Sequence, residues 1–129
     1  MKADEAERML AAAKAKAQEM GKAVSIIVVD AGGAPVAFQR LDGAAASTAV
    51  MAEGKAASAA YMGRDSGLIA TMAQNNPMMV AVHGKMGKFT PVQGAVVLKR
   101  AEEIVGAVGV SGATSEEDEQ IAKAGAAAL

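Results

Sequence analysis

The sequence predicts an α+β fold, a mainly antiparallel sheet flanked by helices. Three observations predict it. Short β-branched runs come in two pairs, each pair joined by a connection too short to hold a helix. Helical patterns precede, separate and follow those pairs, giving the order α-β-β-α-α-β-β-α. The chain has 129 residues, of which 52% are hydrophobic, so one core suffices and a single domain over 1–129 is expected.

The first helix is expected over 4–20. Asp4 is placed to cap it, with Glu7 three residues on, and Gly21 is a natural stop. "VSIIVVD" (24–30) reads as a buried strand and "PVAFQRLD" (35–42) as its return. Gly32-Gly33 suits a two-residue type I′ turn with positive φ at both centres. That register sets Asp30 opposite Pro35, Val28 opposite Ala37, Ile27 opposite Phe38 and Ser25 opposite Arg40. By alternation, Arg40 and Asp42 then share a face with Val36 and Phe38. A charge at the end of an apolar column is either an intrastrand ion pair or one wall of a site.

A second helix is expected over 47–62, capped by Ser47 or Thr48. It is nearly all small residues, so it packs closely on most sides, with Glu53 and Lys55 as its only charges. A lysine there either sits at the solvent edge or is buried, where it suits anion binding or proton transfer. Asp65 can cap a short helix over 66–74, which "NNP" ends. "MMVAV" (78–82) fits a strand or a helical turn, and "HGKMGK" reads as a loop holding His83, the only histidine. "PVQGAVVL" (91–98) and "EIVGAVGVSG" (103–112) are the last strands, turned by "KRAE". A helix from about 115 closes the chain, with Ser115 as cap and Asp118 three residues later. The nine methionines read as core filler.

Several functions are excluded or disfavoured. A net charge of −1 and 2% aromatic residues offer nothing to a nucleic acid. Without cysteine there is no disulfide or thiolate metal site, and one histidine is too few for a zinc centre, so no metal is expected. "GAVGVSGATSEEDE" has glycines at G-x-x-G-x-x-G rather than nucleotide-binding spacing, and its acidic helix start would repel phosphate. "MKADEAERML" lacks an apolar signal core, and no apolar run reaches about 18 residues. A cytoplasmic protein, with no membrane partner and with burial extended by homo-oligomerisation, is the expectation.

Taken together, "VVDAGGAPVAFQRLDGA", "GKAASAA" and "TPVQGAVVL" followed by "IVGAVGVSGATSEEDEQIAKAG" resemble one family over nearly the whole chain. It is the haem-binding HbpS-like family, also called GlcG-like, which includes the C-terminal domain of PduO-type corrinoid adenosyltransferases. The resemblance implies a five-stranded antiparallel sheet in a profilin-like arrangement, and homo-oligomers built as dimers, tetramers or octamers. It implies haem binding in some members and roles beside glycolate, diol or aromatic catabolism in others. It implies no adenosyltransferase activity, which belongs to the other domain of the fused proteins. The positions matching the shared motif are Asp30, Arg40, Asp42, Gly43, Lys55, Gly106, Gly109, Ser111, Gly112 and Asp118. Haem-binding relatives use histidine ligands; Gln18, Lys22 and Ala23 leave the first helix and its turn without one, so His83 is the sole candidate here.

Two functional readings follow. In the first, the oligomer holds a small carboxylate metabolite, or haem, at a subunit junction, contacted by Arg40, Lys55, Gly109, Ser111 and Gly112. In the second, the protein is a cofactor-independent isomerase or lyase. Arg40 anchors a carboxylate, Lys55, Asp42 or His83 moves protons, and glycine-strand amides stabilise an oxyanion. A structural subunit without a ligand is the plain alternative.

Overall fold

The computed structural model describes residues 1–129. Its elements are α1 (Ala3–Glu19), β1 (Ser25–Asp30), β2 (Pro35–Arg40), α2 (Ala46–Met62), α3 (Ser66–Ala73), α4 (Pro77–His83), a 3-10 turn (Gly84–Met86), β3 (Ala95–Arg100), β4 (Glu103–Ser111) and α5 (Ser115–Ala126). The sheet has four strands in the order β2-β1-β4-β3, all antiparallel. The expected fifth strand is absent. "MMVAV", which fits a strand or a helical turn, lies in helix α4, because Asn76 accepts a hydrogen bond from the Met79 amide and Pro77 occupies the first turn.

Alternation along β1 and β4 divides the core. Ile26, Val28, Val108 and Val110 face α1 and α5, where they meet Met9, Ala13, Leu98 and Ile121. Ile27, Val29 and Ala107 face α2, where they meet Ala52, Ala56 and Ala59. No helix is long and apolar enough to cross a membrane.

The β1–β2 hairpin departs from the expected turn. Only Gly33 has positive φ, at +83°, and its amide donates to the Asp30 carbonyl. The Asp30 carboxylate accepts from the Gly32 and Ala34 amides at 3.0 Å each, which fixes a three-residue loop. The extra residue shifts the register between Val28 and Val29, so Val29 rather than Asp30 faces Pro35. Val28–Ala37, Ile27–Phe38 and Ser25–Arg40 pair as the sequence predicts. Past the bulge Val36 packs with the α1 and α5 layer, while Phe38 stays opposite Ile27 on the α2 side. The single column of Val36, Phe38, Arg40 and Asp42 is therefore broken.

The helix caps also shift. Lys2, Ala45 and Thr114 stand at the N-termini of α1, α2 and α5, rather than Asp4, Ser47 or Thr48, and Ser115. Thr114 and Glu117 cap α5 reciprocally. β3 begins at Ala95, after Pro91 and a Gly94 at φ +142°, and runs through Lys99 and Arg100 to a turn at Ala101 and Glu102. Its outer edge is plugged by the segment entering α3. Ser66 Oγ accepts from the Ala95 amide at 2.8 Å, and Asp65 Oδ1 from the Val97 amide at 3.0 Å. The outer edge of β2 carries no such plug.

Candidate functional site

Two concave sites flank the edge strand β2. The larger, about 410 Å³, lies between the C-terminal half of α1 and the end of β2. Lys14, Gln18, Gly21, Lys22 and Ala23 form one wall, and Gln39, Leu41 and Asp42 the other. Lys14 and Gln18 are four residues apart on α1, so one helix face presents both. Gly21 ends the helix with φ +68° and turns Lys22 toward the same opening. Lys22 is paired with Glu117 at 3.3 Å. The capping amide and hydroxyl of Thr114, with Lys22 behind them, hold the Glu117 carboxyl below the usual carboxylate range. Lys14 has no such partner and remains the free cation of the cleft. Only Ala23 and Leu41 are apolar residues, so the cleft offers a cation, a carboxylate and two amide side chains to a polar occupant.

The smaller cavity, about 330 Å³, lies on the α2 side and is lined by Ile27, Pro35, Phe38, Ala49, Val50 and Glu53. Phe38 and Val50 stand exposed at its rim, and Glu53 pairs with Lys88 at 3.2 Å.

The structure does not bring the sequence-predicted site residues together. Asp42 lines the larger cleft. Arg40 is exposed at the end of β2 opposite Ser25 and lines neither cavity. Lys55 is only 2% exposed, and Nζ donates to the Val110 carbonyl at 3.0 Å and to Asp118 Oδ2 at 3.1 Å. Asp118 is equally buried, and its other oxygen accepts from the Ala113 amide at 2.9 Å. The ammonium passes from α2 to α5 beside Gly94, where a Cβ would lie 2.7 Å from Nζ. As placed, this lysine is sealed from both cavities and joins the two helix layers.

The late glycines serve close packing. A Cβ on Gly109 would lie 2.4 Å from the Ala52 carbonyl oxygen, so α2 occupies the space over that strand. A Cβ on Gly112 would be similarly close to the Ala23 carbonyl oxygen, at 2.6 Å, and Ser111 is buried.

His83 stands apart from all of these, on the α2 side. Its Nδ1 is 3.0 Å from the Tyr61 hydroxyl, Tyr61 meets the ring edge-on at 5.5 Å, and Phe89 lies tilted at 5.7 Å. The only histidine, the only tyrosine and one of two phenylalanines thus gather in one place. Nε2 has no protein partner and is not buried.

Lys14, Gln18, Lys22 and Gln39 escape the sequence reading. The i, i+4 spacing of Lys14 and Gln18 was visible, but their juxtaposition with β2 depends on how α1 docks. No cluster of three His, Cys, Asp or Glu side chains could hold a metal ion.

Comparison with known proteins agrees with this architecture. A Klebsiella pneumoniae protein, ORFY, superimposes with TM-score 0.91 at 29% identity, covering 99% of this chain and 89% of that one. A double mutant of Streptomyces reticuli HbpS superimposes with TM-score 0.91 at 28% identity, over 100% and 86%. A PduOC complex with haem does so with TM-score 0.91 at 25% identity, over 100% and 94%. No curated protein matches the sequence. The family model described as haem-degrading protein HbpS-like matches residues 1–127, and the chain belongs to that family.

Proposed function

We propose that the protein binds a small carboxylate metabolite in the cleft between α1 and β2. The observation that carries this reading is the lining: a free Lys14, two glutamines and Asp42 around about 410 Å³, with Ala23 and Leu41 as the only apolar residues. Lys14 pairs with the carboxylate, Gln18 and Gln39 offer amide donors and acceptors, and Asp42 accepts from a hydroxyl or amine elsewhere on the ligand. The isomerase or lyase alternative would draw its acid and base from Lys14 and Asp42, which share the cleft, since Lys55 is sealed and His83 lies elsewhere. A second copy of the chain covering Phe38 and Val50, near the smaller cavity, is part of the same reading.

The test is calorimetric titration with a panel of hydroxy- and keto-acids. At least one binds, and Lys14→Ala weakens it by tenfold or more, about 1.4 kcal/mol. Binding by none, or equal binding by the variant, overturns the reading. Light scattering checks assembly: Phe38→Ser with Val50→Ser lowers the measured mass if those residues are covered by a second copy.

Haem is the second reading, favoured by His83. The larger cleft offers iron no histidine, methionine or tyrosine, so it does not fit haem. His83 is the residue that would hold the iron. Tyr61 orients the ring through Nδ1 and leaves Nε2 free, the arrangement that positions ligating histidines generally. Bound haem would supply redox chemistry. The exposed Lys85 is the nearby cation for a propionate. Haemin titration should give a saturable Soret shift lost in His83→Ala, and a flat titration removes the reading.

A further inference from the structure

Three methionines behave as core filler, Met9 inside the larger cluster and Met1 and Met20 half-buried against it, but those near His83 do not. Met9 is the only one of the nine that is fully buried. Met72, Met78, Met79 and Met86 fall within a short stretch around His83, and none is buried or packed against either core cluster. Helix α4 buries no residue at all. Hydrophobic burial within this chain therefore does not account for the thioethers there.

Their spacing is specific. His83 and Gly84 keep right-handed helical backbone, at φ −73° and −57°, so α4 runs without a break into the 3-10 turn that Gly87 ends at φ +89°. Met79 precedes His83 by four residues and sits about 40° from it around the helix axis. Met86 follows His83 by three residues along a 3-10 turn, where such positions eclipse. Met79, His83 and Met86 thus share one face, with adjacent Cβ atoms about 5–6 Å apart. Tyr61 occupies Nδ1 of His83, which leaves Nε2 as the available nitrogen donor.

Two thioethers and one imidazole nitrogen are a soft donor set. Soft sulfur ligands select Cu(I)-like cations, while the chain's lack of an acidic or multi-histidine cluster disfavours harder divalent ions here. We propose that the face formed by Met79, His83 and Met86 is a binding site for a soft monovalent d¹⁰ cation, Cu(I) or Ag(I). Binding involves no change of oxidation state. It converts an imidazole already oriented by Tyr61 and two side chains free of core packing into a three-coordinate centre. The site uses no residue of the α1–β2 cleft and stands or falls separately from the carboxylate reading.

Silver(I) is the probe, because it needs no reductant. Titration of the full chain, in chloride-free buffer and followed by calorimetry and by the methyl and imidazole NMR signals, should saturate at one equivalent. The Met79 and Met86 methyls and the His83 ring should shift together. Met79→Leu with Met86→Leu keeps the side-chain volume and should weaken binding by tenfold or more, as should His83→Ala. Met78→Leu, which changes a neighbour on a different side of the helix, should leave it unchanged. Circular dichroism and thermal unfolding of each variant check that the fold is intact. The proposal is overturned if silver does not saturate at one equivalent, or if Met78→Leu weakens binding as much as the double variant does.

Discussion

Between the sheet and α1 with α5, the space is filled by Met9, Ile26, Leu98 and Ile121. Between the sheet and α2 it is filled mainly by alanines, and the helix backbone comes down onto Gly109. The first layer holds by area removed from water, the second by close approach. A layer of large side chains is damaged by removing atoms, because a cavity remains. A layer of small ones is damaged by adding them, because backbone has nowhere to go. The Lys55–Asp118 pair is the one charged contact that reaches from the α2 layer to the α5 layer, and it is buried with them.

Breaking that link should cost most. Lys55→Ala leaves Asp118 charged and unpaired in the interior, at about 3–5 kcal/mol in urea unfolding. Lys55→Met with Asp118→Leu should recover much of the loss, since removing both charges leaves neither stranded. A single-variant cost under about 1 kcal/mol would mean that water reaches the pair.

The two layers separate in a second pair of variants. Met9→Ala, which empties part of the large-side-chain layer, should cost about 2–5 kcal/mol. Gly109→Ala, which adds one carbon beneath α2, should cost about 1–3 kcal/mol, a larger penalty per atom changed. Equal tolerance of alanine and serine at 109 without loss would show that α2 can lift, and the contrast between the layers would fail.

The smallest effect lies outside both layers. Ala101 holds φ +57° in the β3–β4 turn, a left-handed conformation disfavoured for a residue with a Cβ. Ala101→Gly relieves that strain but loosens the unfolded chain, so a gain of about 0.5–1 kcal/mol is expected in the same assay. The gain should add to the Met9 and Gly109 effects without coupling.

Much of this was legible in the chain. The Val28–Ala37, Ile27–Phe38 and Ser25–Arg40 register followed from alternation around Gly32-Gly33. The bulge did not, because one left-handed glycine rather than two decides whether the loop holds two residues or three. The smoothness of α2 correctly announced close packing, and Lys55 stood out within it. Its partner could not be read, since Asp118 lies 63 residues away and meets it only once α5 docks. The cleft was missed for a related reason: Lys14 and Gln18 look like ordinary exposed helix residues until the end of β2 closes the opposite wall. "MMVAV" was ambiguous because five apolar residues satisfy either period, and the capping Asn76 and Pro77 settled it.

The plugging of β3 by Ser66 and Asp65 has a consequence for assembly. A sheet that grows into a fibril must offer a free strand at both ends, so that each added copy leaves a new docking edge. Here one end is stoppered by side chains of the same chain. Pairing through β2 would therefore join two molecules back to back and finish there, with both remaining ends closed. The fold is one-ended: a strand added at β3 would have to displace Ser66 and Asp65, and one added at β2 would not.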